Sequence, residues 1–178
     1  MPNPSFQELL AQYLKGLGLV KGPIQLSQLT GGQSNPTFKI SCSNEHFVLR
    51  KKPAGILLPS AHAVDREHRV MRALANTNVP VPRMLAYCED ENIVGTAFFI
   101  MEYLDGRVFV DQTLPELPAS ERHVIYEQMN NTIAAIHRLD YTSLGLESFG
   151  KPGNYFSRQI TRWSRQVRAA NIPIPNSL

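Results

Sequence analysis

A glutamate stands where a helix should be apolar. Across residues 61 to 75 (AHAVDREHRVMRALA), Val64, Met71 and Leu74 define one apolar line, and Glu67 falls on it. A carboxylate aimed at a core needs a cation, because desolvating a lone charge costs more than packing there returns. The preceding stretch, 45 to 52 (EHFVLRKK), offers one: strand alternation sends Val48, Arg50 and Lys52 to one face and Phe47, Leu49 and Lys51 to the other. A strand cation oriented by a helix carboxylate can hold phosphate oxygens. The plainer alternative is a solvated glutamate on a charged helix, with Asp65, Arg66, His68, Arg69 and Arg72 around it. A second stretch bears on the choice. In residues 29 to 40 (LTGGQSNPTFKI), two glycines and three small polar residues separate two strand-like runs. The turn contains neither G-K-[ST] nor G-x-G-x-x-G, so by itself it reads as a hairpin with glycine at positive φ.

The elements that position these groups follow from periodicity. Residues 5 to 17 place Phe6, Leu9, Leu10, Tyr13, Leu14 and Leu17 on one helical stripe, closed by Gly18. Short strands run from Ile24 to Ile40 around Gly31-Gly32, and Glu45 to Lys52 follows after Ser43-Asn44, which makes a three-strand meander. The helix from Ala61 to Ala75 ends at Asn76, before the extended Val79-Pro80-Val81-Pro82. Met84 to Cys88 and Ala97 to Leu104 read as two more strands around the acidic turn Glu89-Asp90-Glu91-Asn92, and Asp105-Gly106 stops the second. Beyond Gly106 the pattern is helical. Ser120 is the N-cap candidate of a long helix whose buried face is Ile125, Met129, Thr132, Ile133, Ile136 and Leu139. A last helix, from about Tyr155 to Ala170, has Phe156, Ile160, Trp163 and Val167 as its inner face. Strands with one helix first and helices afterwards predict an α+β fold of two lobes, 1–104 and 105–178, joined near residues 102 to 106.

Composition narrows the function classes. A chain of 178 residues, 43% hydrophobic, can bury a real core. No apolar run approaches bilayer length and the N-terminus shows no export signal, so no membrane partner is expected and the cytoplasm is the default location. A net charge of +3 does not call for a polyanionic partner, and Arg158, Arg162, Arg165 and Arg168 read as a solvated helix face rather than a nucleic-acid surface. Cys42 and Cys88 have neither disulfide nor metal spacing and read as reduced, structural residues. The five histidines, His46, His62, His68, His123 and His137, are scattered without a ligand pair and read as solvated or capped.

The series LTGGQSNPTFKI, FVLRKKPAG, LLPSAHAVDREHRVMRAL, VPVPRML, GTAFFIMEYLDGRVF and IAAIHRLD resembles, in order and spacing, the N-terminal part of the aminoglycoside phosphotransferase family. It is most similar to the branch also found fused to acyl-CoA dehydrogenases. The resemblance implies a protein-kinase-like two-lobe fold: an N-terminal antiparallel sheet with one helix, then the first helices of a truncated helical lobe. It implies ATP and Mg²⁺ as cofactors and a small-molecule hydroxyl as phosphoryl acceptor, of hydroxylated acyl or acid type. Gln33, Ser34 and Asn35 would lie over the ATP phosphates. The strand cation corresponds best to Arg50, with Lys52 on the same face as the alternative, and Glu67 would orient it. At the hinge, the Glu102 carbonyl and Leu104 N–H would pair with adenine.

The family also requires H-G-D-x-x-x-x-N and a later aspartate motif, both downstream of the two helices. The resemblance therefore places the catalytic residues and the Mg²⁺ ligands downstream of Leu178, with none within 1–178, and the chain by itself is expected to be inactive. His137-Arg138-Leu139-Asp140 imitates H-R-D but carries an inserted leucine and continues a helix, and Ser148-Phe149-Gly150 imitates D-F-G without a carboxylate. The alternative is a non-catalytic, pseudokinase-like nucleotide- or protein-binding module. A partial helical lobe would expose apolar surface and favour self-association.

Overall fold

The computed structural model describes residues 5–29, 35–55, 62–151 and 153–169. The lead-in helix α1 (Phe6–Gly16) begins with a capping box, in which Ser5 Oγ accepts from Glu8 N–H and the Glu8 carboxylate accepts from Ser5 N–H. Strands β1 (Gln25–Gln28), β2 (Thr37–Cys42) and β3 (Glu45–Lys51) follow as an antiparallel meander. Then come α2 (Val64–Leu74), β4 (Met84–Cys88), α3 (Glu91–Val94) and β5 (Phe98–Glu102). The five-stranded sheet has the order β1-β2-β3-β5-β4, so β5 enters between two strands that precede it in sequence. Two helices complete the described chain, α4 (Ala119–His137) and α5 (Tyr155–Ala169).

Alternation divides the sheet into two chemically different faces. Ile40, Cys42, Leu49, Phe98 and Ile100 point toward α1 and bury against Leu10 and Leu14, forming the main core. Lys51 shares that face: its Nζ donates to the Val94 carbonyl at 2.5 Å and lies 5.2 Å from the Phe6 ring centre. Removal from water lowers the Lys51 pKa, and the carbonyl gives its ammonium a partner. The opposite face carries Arg50 and Phe99, and α2 packs there with Val64 fully buried. The result is the kinase-like architecture expected: a sheet with flanking helices, followed by helices.

Several local expectations need correction. The acidic stretch 89–92 does not form a plain turn: Asp90 Oδ1 accepts from Asn92 N–H and starts α3, which Gly95 closes at φ 81°. Ser120 is not the cap of α4. The helix begins one residue earlier, Pro118 holds the cap position, and its carbonyl already accepts from Arg122 N–H. α4 ends at His137, so Asp140 lies beyond the helix rather than in it. The expected buried faces of α4 and α5 are open among the described residues, with Met129 52% and Trp163 61% exposed. Amphipathic periodicity identified the side that needs covering, and no described element covers it. No helix among the described residues is long and apolar enough to cross a membrane.

Candidate functional site

The cation that meets Glu67 is Arg50. Its Nε donates to Glu67 Oε2 at 2.5 Å and Nη2 donates to Oε1 at 3.2 Å, a two-pronged ion pair whose side chains are 24% and 35% exposed. β3 and α2 bring the two together, and the start of β2 supports them. Thr37 is the register partner of Arg50, and its Oγ1 accepts from Nη1 at 3.0 Å. Nη1 also approaches the Asn35 carbonyl at 3.5 Å. Asn35 itself is buried, 2% exposed: its Nδ2 donates to Glu67 Oε1 at 2.9 Å, and its Oδ1 faces His62 Nδ1 at 2.9 Å. His62 reaches it from the turn before α2, with left-handed backbone at φ 56°. Of the five N–H bonds of Arg50, four are engaged by these contacts, so that among the described residues one on Nη2 has no partner.

The other candidates are placed unequally. Gln33 and Ser34 lie outside the described residues. So does Leu178, downstream of which the catalytic residues are expected; the described chain stops short of it, at Ala169. Lys52 N–H donates to the Ala97 carbonyl and its own carbonyl accepts from Thr96 Oγ1, but its side chain is not part of the Glu67 cluster. The Glu102 carboxylate accepts from Arg83 N–H at 2.9 Å, which ties the end of β5 to the approach to β4. Leu104 lies beyond the end of β5 and is exposed. Between them, Tyr103 lies 4.0 Å beneath Lys39 Nζ, with His46 edge-on to its ring at 5.9 Å. Sequence reasoning passed over Thr37, Lys39 and His62. Alternation across β2 could have found the first two, since they share the Arg50 face; no periodic signal marks His62.

Around α2 the aromatic packing is close. His68 stacks on Tyr87 at 5.0 Å and also meets Phe99, so it is not a solvated histidine. Burial lowers its pKa and the neighbouring Arg72 charge adds to the effect. The Tyr87 phenol is pushed up to about 12 by burial, then by its hydrogen bond to Glu89.

Phosphate fits this arrangement, because among the described residues one N–H of the partly exposed Arg50 guanidinium is uncommitted, on the same side chain that Glu67 and Thr37 hold in place. Magnesium does not: among the described residues no group of three His, Cys, Asp or Glu could hold a metal ion. Both imitation motifs have structural work. Asp140 Oδ1 accepts from Thr142 N–H and Oγ1, bonds that hold its carboxyl below the usual range while it closes a turn. Ser148 Oγ accepts from Arg69. A cavity of about 540 Å³ lies between the α2–β4 connection and α4, lined by Asn76, Asn78, Asn131 and Arg138, with no member of the Arg50–Glu67 cluster in its wall.

Known proteins share this frame. Residues 25–174 match the phosphotransferase enzyme family, APH. Acyl-CoA dehydrogenase family member 10 of Mus musculus is 50% identical over 166 residues, covering 92% of this chain and 16% of that protein. Acyl-CoA dehydrogenase family member 11 of Homo sapiens is 41% identical over 169 residues, covering 94% and 22%. A crystal structure from Ralstonia eutropha JMP134, assigned as an aminoglycoside phosphotransferase, superposes with a TM-score of 0.76 at 45% identity, over 94% of this chain and 48% of that one. The chain thus spans less than a quarter of the length of these two dehydrogenase-family relatives and about half that of the solved protein. In sequence and in backbone alike, the chain belongs to the APH phosphotransferase enzyme family, with its kinase-like fold.

Proposed function

We propose that this chain forms the ATP-binding part of a phosphotransferase that acts on a small-molecule hydroxyl. The observation that carries the reading is the Arg50–Glu67 pair, held by Asn35 and Thr37, with one guanidinium N–H unpartnered among the described residues. ATP, when bound, supplies the transferable γ-phosphoryl group. Arg50 would hold a phosphate oxygen, and Glu67 would keep the guanidinium from turning away. Asn35 acts behind them: its side chain is engaged by Glu67 and His62, so it positions the pair, while phosphate contacts fall to Gln33 and Ser34. The adenine would pair with the Glu102 carbonyl and the Leu104 N–H. Magnesium binding and activation of the acceptor are assigned to none of the described residues. The acceptor class is a hydroxylated acyl chain or acid, a reading supported by the acyl-CoA dehydrogenase names of the relatives.

Calorimetric titration of the 178-residue protein with ATP tests this. The expected result is weak binding, with Kd of about 1 mM, equivalent to roughly 4 kcal/mol, lost in Arg50→Met, and no transfer to hydroxy acids. Equal ATP affinity in Arg50→Met overturns the role of Arg50, and transfer by the purified chain overturns the assignment of acceptor activation elsewhere. A second reading, a binding module without turnover, is favoured by the open apolar sides of α4 and α5. It predicts concentration-dependent association by light scattering, and a monomer at all concentrations removes it.

A further inference from the structure

α2 does more than present Glu67 to the sheet. Two of its arginines reach a segment of the second half of the chain, 76 to 83 residues away. Arg66 Nη2 donates to the Phe149 carbonyl at 2.8 Å while its guanidinium lies 4.4 Å from the Phe149 ring centre. Arg69 Nη2 donates to the Gly145 carbonyl at 2.8 Å and to Ser148 Oγ at 2.9 Å. The receiving segment is itself built from turns: Gly145 N–H donates to Thr142, Leu146 N–H to Tyr141 and Phe149 N–H to Leu146, with Gly145 at φ 66° and Leu146 buried. It is therefore a shaped acceptor for two guanidinium groups rather than a loose strand of carbonyls.

Arg66 and Arg69 are three apart and share one side of the helix, while Glu67 projects about 100° round from Arg66. Rolling α2 about its axis cannot move one set of contacts without the other. Because the Nε–Oε2 contact is 2.5 Å, a displacement of about 1 Å brings it to the limit of hydrogen-bond length.

We propose that Arg66 and Arg69 are positioning residues, which clasp α2 to segment 145–149 and so fix the register in which Glu67 meets Arg50. The second half of the chain thereby controls the geometry of the phosphate site in the first. Segment 145–149, which holds Ser148 and Phe149 of the D-F-G imitation, acts on the site through the helix and touches no nucleotide. The clasp rests on the ATP-binding reading only for its functional consequence.

Hydrogen exchange of the α2 amides and ATP titration, both on the 178-residue protein, test the proposal. Arg66→Ala/Arg69→Ala removes the clasp from the helix, and Ser148→Ala/Phe149→Leu weakens it from the other side. Both variants should exchange faster in α2 and bind ATP about fivefold more weakly, and the affinity loss should vanish when Glu67 is already Gln. Unchanged α2 exchange overturns the clasp. An affinity loss of the same size in the Glu67→Gln background overturns its action through Glu67. A wild-type chain that binds no ATP, but whose α2 loosens in both variants, supports the clasp and overturns the nucleotide reading alone.

Discussion

Replacing Glu67 by alanine removes three contacts at once: both prongs to Arg50 and the acceptor of Asn35 Nδ2. The size of the effect follows from burial. A solvent-exposed ion pair contributes about 0–1 kcal/mol, whereas breaking a fully buried one costs about 3–5 kcal/mol. With side chains 24% and 35% exposed, this pair lies between those limits. Losing it costs about 2 kcal/mol, and leaving the buried Asn35 amide with a missing partner adds about 1 kcal/mol. At roughly 2–4 °C per kcal/mol for a chain of this length, Glu67→Ala should melt about 6–12 °C below wild type. Glu67→Gln keeps an oxygen for Asn35 and should recover about a third of that loss. Thermal unfolding followed by far-ultraviolet circular dichroism at neutral pH measures both. An Ala variant melting within about 1 °C of wild type would refute the reasoning, because the pair would then behave as two solvated charges. Gln and Ala variants melting together would refute the role given to Asn35.

Two further outcomes follow from neighbouring elements. His68 has a folded pKa below its ordinary value, so the unfolded chain takes up its proton at the higher pH; stability is full above the imidazole range and declines as pH falls from about 6.5 toward the folded value. Melting points across that range should fall less steeply in His68→Gln, and parallel profiles would show that the Tyr87 stack does not set the dependence. Gly95 ends α3 at φ 81° with open space where a Cβ would sit, so Gly95→Ala should cost about 1 kcal/mol through backbone strain alone, and Gly95→Asn less. Urea midpoints read this directly, and equal midpoints for Ala and Gly would remove the argument.

What could be read in advance depended on range. α1 announced itself through its apolar stripe, a pattern of period 3.6, whereas the Ser5–Glu8 box that caps it was not read in advance. The Arg50 face followed from period two, and the misplaced Glu67 from period 3.6. Lys52 remained an alternative in the sequence because alternation assigns a face but not a distance; the observed pair is with Arg50. His62 and Asn35 meet through a turn at positive φ, which no periodicity encodes. Arg66 and Arg69 looked like ordinary surface charge because their acceptors are backbone carbonyls far along the chain. The long helix α4 was legible from the spacing of its apolar residues, yet its surroundings were not, since a pattern specifies a need for cover and not its source. α3 was missed because a four-residue helix and a capped turn have the same residue types.

The placement of β5 between β3 and β4 also orders events during folding. The β1–β3 meander can zip locally, but the side of β3 that β5 will occupy stays bare until some fifty further residues have collapsed, so sheet completion is a slow, non-local step. In the interval that open ladder is a template for another chain. Arg50 and Lys51, consecutive at its end and on opposite faces, put positive charge on both sides of the strand where two such intermediates would otherwise pair, which gives the strand a means of staying single until its proper neighbour arrives.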